Sequence, residues 1–81
     1  MESQEIKSNM LRYGIKSVAE LHRELEAFQP VKISYTSLTQ AIKGTRNASK
    51  LIASVLHHYF AHMEDQWRKD KIEELEELDR E

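Results

Sequence analysis

Six side chains within nine residues, Tyr35, Thr36, Ser37, Thr39, Gln40 and Lys43, carry hydroxyl, amide and ammonium groups and no carboxylate. That set suits recognition of a polyanion with readable edges. A glutamine amide presents a donor and an acceptor side by side and can pair bidentately with adenine, while a threonine methyl can meet a thymine methyl. Hydroxyl and basic groups hold phosphates. The flanking residues supply an element to carry these groups. Ser34 can cap a helix start by accepting from a backbone N–H two or three residues on. Leu38, Ala41 and Ile42 recur at i, i+3 and i+4, so they share one face and leave the polar set on the other. Gly44 can adopt the left-handed conformation that stops a helix, and Arg46 follows just beyond. Taken alone, the same pattern also describes an ordinary short helix with a solvated polar face.

Charge along the chain weighs toward the first of these readings. The net charge is −2, but it is unevenly spread. Residues 1–63 hold eight Lys/Arg against five Asp/Glu, a local +3, while residues 64–81 hold four against nine, a local −5. A mildly basic body thus carries an acidic tail, and local rather than net charge governs attraction to phosphate. At 81 residues the chain is expected to form one small domain whose marginal core favours oligomerisation. With no cysteine, disulfide scaffolds, Cys-ligated zinc and cysteine nucleophiles are excluded. No apolar run has membrane-spanning length, and the start of the chain lacks the basic and apolar regions of a signal peptide, so a cytoplasmic location is expected.

Two glycines and one proline leave little to interrupt helix. The first helix is expected over residues 4–13, with Ile6, Met10 and Leu11 on one side and Gly14 at its end. The second opens at Ser17, where Ser17 and Glu20 have the spacing of a capping box; Val18, Leu21, Leu25 and Phe28 form its stripe. Pro30 ends it, and residues 29–33 connect to the third helix, with Val31 and Ile33 turned inward. A fourth helix starts near Ser49 or Lys50, capped by Asn47 or Ser49. Leu51, Ile52, Val55, Leu56, Tyr59 and Phe60 line its inner face. Met63 and Trp67 extend the stripe, which then slips by five residues to Ile72, Leu75 and Leu78. The slip marks either a stutter in one long helix or a join to a fifth.

His58 and His62 stand one turn apart with Asp65 on the same side, a spacing that suits zinc, but no accompanying ligand motif occurs. These histidines are expected on the outer face of the fourth helix, solvated or near phosphate. No phosphate loop, catalytic triad pattern or paired-carboxylate cleft occurs, and the expectation is a non-enzyme without metal or cofactor.

Residues 34–60 resemble the lambda-repressor-like (Cro/cI-type) helix-turn-helix DNA-binding domains of phage and bacterial regulators. The resemblance rests on Ser34 at the start of the third helix, Leu38 at its fifth position, Gly44 at its end, Arg46 after it, and the apolar pattern of residues 51–56. The run from Ser17 to His22 looks like the family's second helix. The stretch from Leu21 to Ile33 is longer than the family's usual helix-turn. Ile42 and Lys43 stand where a Glu is common, and Ala41 where a larger apolar residue is usual. The resemblance implies an all-α fold of four to five helices, with a DNA-binding domain over residues 1–63 and an acidic C-terminal helix over residues 64–81. It implies a sequence-specific transcriptional regulator, repressor-like, with the helix of residues 34–44 in the major groove of double-stranded DNA. Tyr35, Thr36, Gln40 and Lys43 would then reach bases. Ser17, Ser34, Ser37, Thr45, Arg46, Asn47 and Lys50 would hold phosphates, aided by helix N-termini.

The tail mixes both charge signs around an apolar stripe. It reads either as a solvated, partly frayed terminal helix or as a dimerisation helix, and the cost of leaving Trp67 exposed favours the dimer. Phe60, Met63, Trp67, Ile72 and Leu75 are the expected contacts in a homodimer. The alternative function is a helical protein-interaction module, an antirepressor or adaptor, that binds a protein partner through this helix.

Overall fold

The computed structural model describes residues 1–79 and contains four helices among them: α1 (Ser3–Arg12), α2 (Val18–Phe28), α3 (Tyr35–Lys43) and α4 (Lys50–Asp79). The fold is all-α, with no strand among the described residues. Each boundary has a local cause. Gly14 sits at φ +72° after α1, and the Ile15 N–H reaches back 2.8 Å to the Met10 carbonyl, which turns Ile15 into the core. Ser17 caps α2 by accepting from the Glu20 N–H at 3.1 Å. The Glu20 carboxylate accepts from the Lys16 N–H, also at 3.1 Å, so the reciprocal half of the capping box lands one residue earlier than the sequence spacing implies. α2 ends at Phe28, with Gln29 extended ahead of Pro30.

Six residues, 29–34, join α2 to α3. This connector is longer than a three- or four-residue helix-turn-helix turn. His22 fastens the connector: its Nε2–H donates to the Ile33 carbonyl at 2.7 Å, and Ile33 is buried beneath it. Val31 is half-buried. α1 and α2 both pack against α3, and α2 also packs against α4. The Ser3 hydroxyl donates to the Ile42 carbonyl at 2.6 Å, tying the start of α1 to the end of α3.

The core gathers the apolar stripes of all four helices; Ile6, Leu21, Leu25, Leu38 and Leu56 are fully enclosed. Leu51, expected on the inner face of α4, stands 49% exposed, and Leu11 also departs from expectation. It shares a helix with Ile6 and Met10 but stands 84% exposed. One helical step of about 100° from Met10 carries it past the edge of the packed face.

Ser49, rather than Asn47, caps α4, accepting from the Ile52 N–H at 3.2 Å. The helix then continues unbroken to Asp79. The five-residue slip after Trp67 is therefore a change of apolar face along one helix. The Glu64–Arg68 pair at 3.0 Å spans one turn beyond the body. The outer part of α4 gives the molecule its long axis of 50 Å against 25 and 19 Å.

Candidate nucleic-acid interface

α3 is held at both ends by its own sequence. Ser34 accepts from the Ser37 N–H at 3.2 Å. Gly44, at φ +81°, returns its N–H to the Gln40 carbonyl at 2.9 Å, and Thr45 adds a second N–H at 3.1 Å. Leu38, Ala41 and Ile42 are buried. At about 100° per residue, Thr36, Gln40 and Lys43 then lie almost diametrically opposite the buried face. Thr36, Ser37 and Lys43 are exposed and Gln40 is half-buried. Thr39 sits at the flank and spends its hydroxyl proton on the Tyr35 carbonyl at 2.9 Å.

Tyr35 is not centred on this face. It is half-exposed at the buried edge, its ring edge-on to His22 with centroids 5.5 Å apart. His22 itself lies within 3.3 Å of Glu26 through Nδ1. A histidine thus orients the tyrosine from α2, a role with no signal in the sequence around residue 35.

Beyond the stop, Thr45, Arg46, Asn47 and Lys50 are exposed in sequence with Lys43, so one end of α3 leads into a short basic run. Ser17 and Ser34 are exposed too, but each hydroxyl already serves as a helix cap. Ser17 lies at the start of α2, outside the basic run in sequence. A broader signal is legible in the sequence: between Glu26 and Glu64 there is no carboxylate, while Lys32, Lys43, Arg46 and Lys50 all fall there. The whole connector, α3 and α4 as far as Met63 therefore carry only positive formal charge.

The histidines of α4 do not share one environment. His57, His58 and His62 are all exposed, and the His62 ring also lies with its centroid 5.2 Å from that of Phe28. Among the described residues no three His, Cys, Asp or Glu side chains converge as a metal-binding group. Among the described residues no helix is long and apolar enough to cross a membrane.

The residues assigned to a dimer contact divide into two groups. Phe60 is a correction: it is 5% exposed, with its ring 6.2 Å from Tyr13 and 5.6 Å from Tyr59, and it belongs to the chain's own core. Met63 is half-buried against that core. Trp67, Ile72 and Leu75 are exposed. Burial pushes the Tyr59 phenol above its usual range, and the Glu24 and Glu20 carboxylates push it the same way.

No family model, curated protein or solved structure matches this chain.

Proposed function

We propose that this chain is a sequence-specific DNA-binding transcriptional regulator of the repressor-like helix-turn-helix kind, acting as a homodimer in the cytoplasm. The observation that carries the reading is the face of α3 opposite the core. Thr36, Gln40 and Lys43 lie together there, without a carboxylate, and lead into Arg46 and Lys50. In this reading α3 enters the major groove. Gln40 pairs with an adenine, Thr36 meets a thymine methyl, Lys43 reaches a guanine edge, and Tyr35 touches the outermost base from the flank. Ser37, Thr45, Arg46, Asn47 and Lys50 hold phosphates, and the starts of α2 and α3 at Ser17 and Ser34 add helix N-terminal N–H groups.

Selection of bound duplexes from a random pool tests the reading. Enrichment of a two-fold motif, lost in Gln40→Ala, is the expected result. Failure to retain any duplex at low salt overturns it. A second reading rests on Ile72, Leu75 and Leu78, which lie exposed along the outer part of α4. There the chain is an adaptor or antirepressor that engages another protein through this helix.

A further inference from the structure

Among the described residues, an open groove with an apolar lining and an exposed apolar arc on α4 carry opposite charge. The first is an open groove of about 480 Å³ between the second half of α1, the turn after it and the end of α3. Met10, Leu11, Ile15 and Ile42 line it, and Lys7 and Lys16 supply its charged groups. The second is the outer part of α4, where Ile72, Leu75 and Leu78 are each more than half exposed. At about 100° per residue these three occupy roughly a third of the helix circumference. Glu76 borders that arc on the Ile72 side and Glu74, which also lies 3.4 Å from Lys71, on the Leu78 side, while Asp79 falls inside the arc between Leu75 and Ile72 at the end of the segment. Residues 73–79 hold five carboxylates and no basic residue.

We propose that the groove of one copy receives residues 72–79 of a second copy. Leu11, isolated on its own chain, gains apolar neighbours from the incoming helix. Lys7 and Lys16 face the carboxylates that flank the arc. The groove is not filled by its own chain in this way: α4 runs unbroken to Asp79, and among the described residues none of the tail lines the groove. Two copies related by a twofold axis can each give a tail and offer a groove, which closes the assembly at a dimer. The inference extends the dimer proposed above by naming its acceptor surface, and it does not depend on DNA being bound.

The charge pattern permits a rival pairing. Residues 68–71 carry Arg68, Lys69 and Lys71 against Asp70, so two tails could run antiparallel, basic part against acidic part. A charge exchange separates the two. One variant carries Lys7→Glu and Lys16→Glu; the other carries Glu74→Lys and Glu76→Lys. All four positions are exposed, and circular dichroism checks that each variant keeps its helices. The full-length chains are compared by sedimentation velocity at micromolar concentration.

The expected result is a wild-type dimer, both variants weakened by roughly tenfold or more when alone, and a restored dimer on mixing them, since every groove then meets a tail of opposite charge. Leu11→Glu, at an exposed position, is expected to give a folded monomer and takes the place of the groove variant if that one loses its helices. A monomeric wild-type chain overturns the inference. So does a groove variant that still dimerises, which is the signature of tail-to-tail pairing, and so does a mixture that stays monomeric. Duplex binding by the same samples is read separately, so failure of the dimer contact and failure of the DNA reading remain distinct.

Discussion

The Arg12 guanidinium lies 5.3 Å from the centroid of the Trp67 ring and 5.6 Å from that of its neighbour Tyr13. It bridges the last turn of α1 to the first part of α4 that projects beyond the body. Lys71 approaches the same indole at 5.8 Å. The contact seats Trp67 although that residue is only partly covered. Arg12→Ala should cost about 0.5–1 kcal/mol, the usual size of an exposed cation–π contact. It should also shift the tryptophan emission to the red as water reaches the ring. Emission unchanged in the variant would show that the indole is held by Met63 and the rest of α4 alone.

Ser34 fixes where α3 begins, since its hydroxyl takes the Ser37 N–H. Ser34→Ala should destabilise the fold by about 1 kcal/mol, whereas Ser34→Asp should retain most of the stability, because a carboxylate also caps. Urea midpoints of the three proteins decide this. The aspartate has a second use: it places negative charge beside the proposed phosphate contacts, so it should weaken duplex binding while the fold is kept.

Tyr59 gives the chain an alkaline limit. Its phenol titrates above the ordinary tyrosine range because the ring is buried and the Glu24 and Glu20 carboxylates oppose a second negative charge. Below about pH 10 both the folded and unfolded chains keep this proton, and its contribution is fully present. Above that pH the unfolded chain releases the proton first, so stability falls as pH rises toward the folded value. Tyr59→Phe should flatten this part of the curve while leaving stability near pH 7 close to that of the parent. Urea midpoints for both proteins from pH 7 to the alkaline limit measure the difference, and parallel curves would remove Tyr59 as the cause.

Features set by a few neighbouring residues could be read from the chain. Ser17, Ser34 and Gly44 act within their own turns, and their caps and stop fall where the residue types place them. The polar face of α3 follows from helical period once Leu38, Ala41 and Ile42 define the inside. Burial set by distant segments was less legible. Phe60 reads as the start of an open stripe until Tyr13 arrives from α1 to cover it. Leu11 reads as core because it adjoins Met10, yet it stands almost wholly exposed at the edge of the packed face of α1. The five-residue step between Trp67 and Ile72 suggested either of two arrangements, since a helix without Gly or Pro carries no local sign of where its packing ends. Tyr35 was legible as a member of the polar helix, but not its place at the flank, which depends on His22 from α2.

Gln40 and Arg46 should fail in different ways if α3 reads DNA. Gln40 lies opposite the core in the middle of the helix, where an amide can meet a base edge; Arg46 lies beyond the Gly44 stop, where a guanidinium meets backbone phosphate. Gln40→Ala should therefore lose about 1–3 kcal/mol on the preferred duplex and little on scrambled DNA. Arg46→Ala should weaken both duplexes alike and make the log–log salt slope shallower by about one for each phosphate contact removed. If the parent binds as a dimer, four to eight such contacts correspond to a slope of roughly −4 to −7. Fluorescence anisotropy across a salt series, with preferred and scrambled duplexes side by side, measures all three quantities. Equal losses for the two variants on both duplexes would remove the division between base and phosphate contacts. A binding constant that stays flat with salt would remove the phosphate contacts themselves, and the exposed apolar face of α4 would then be the stronger guide to what this chain engages.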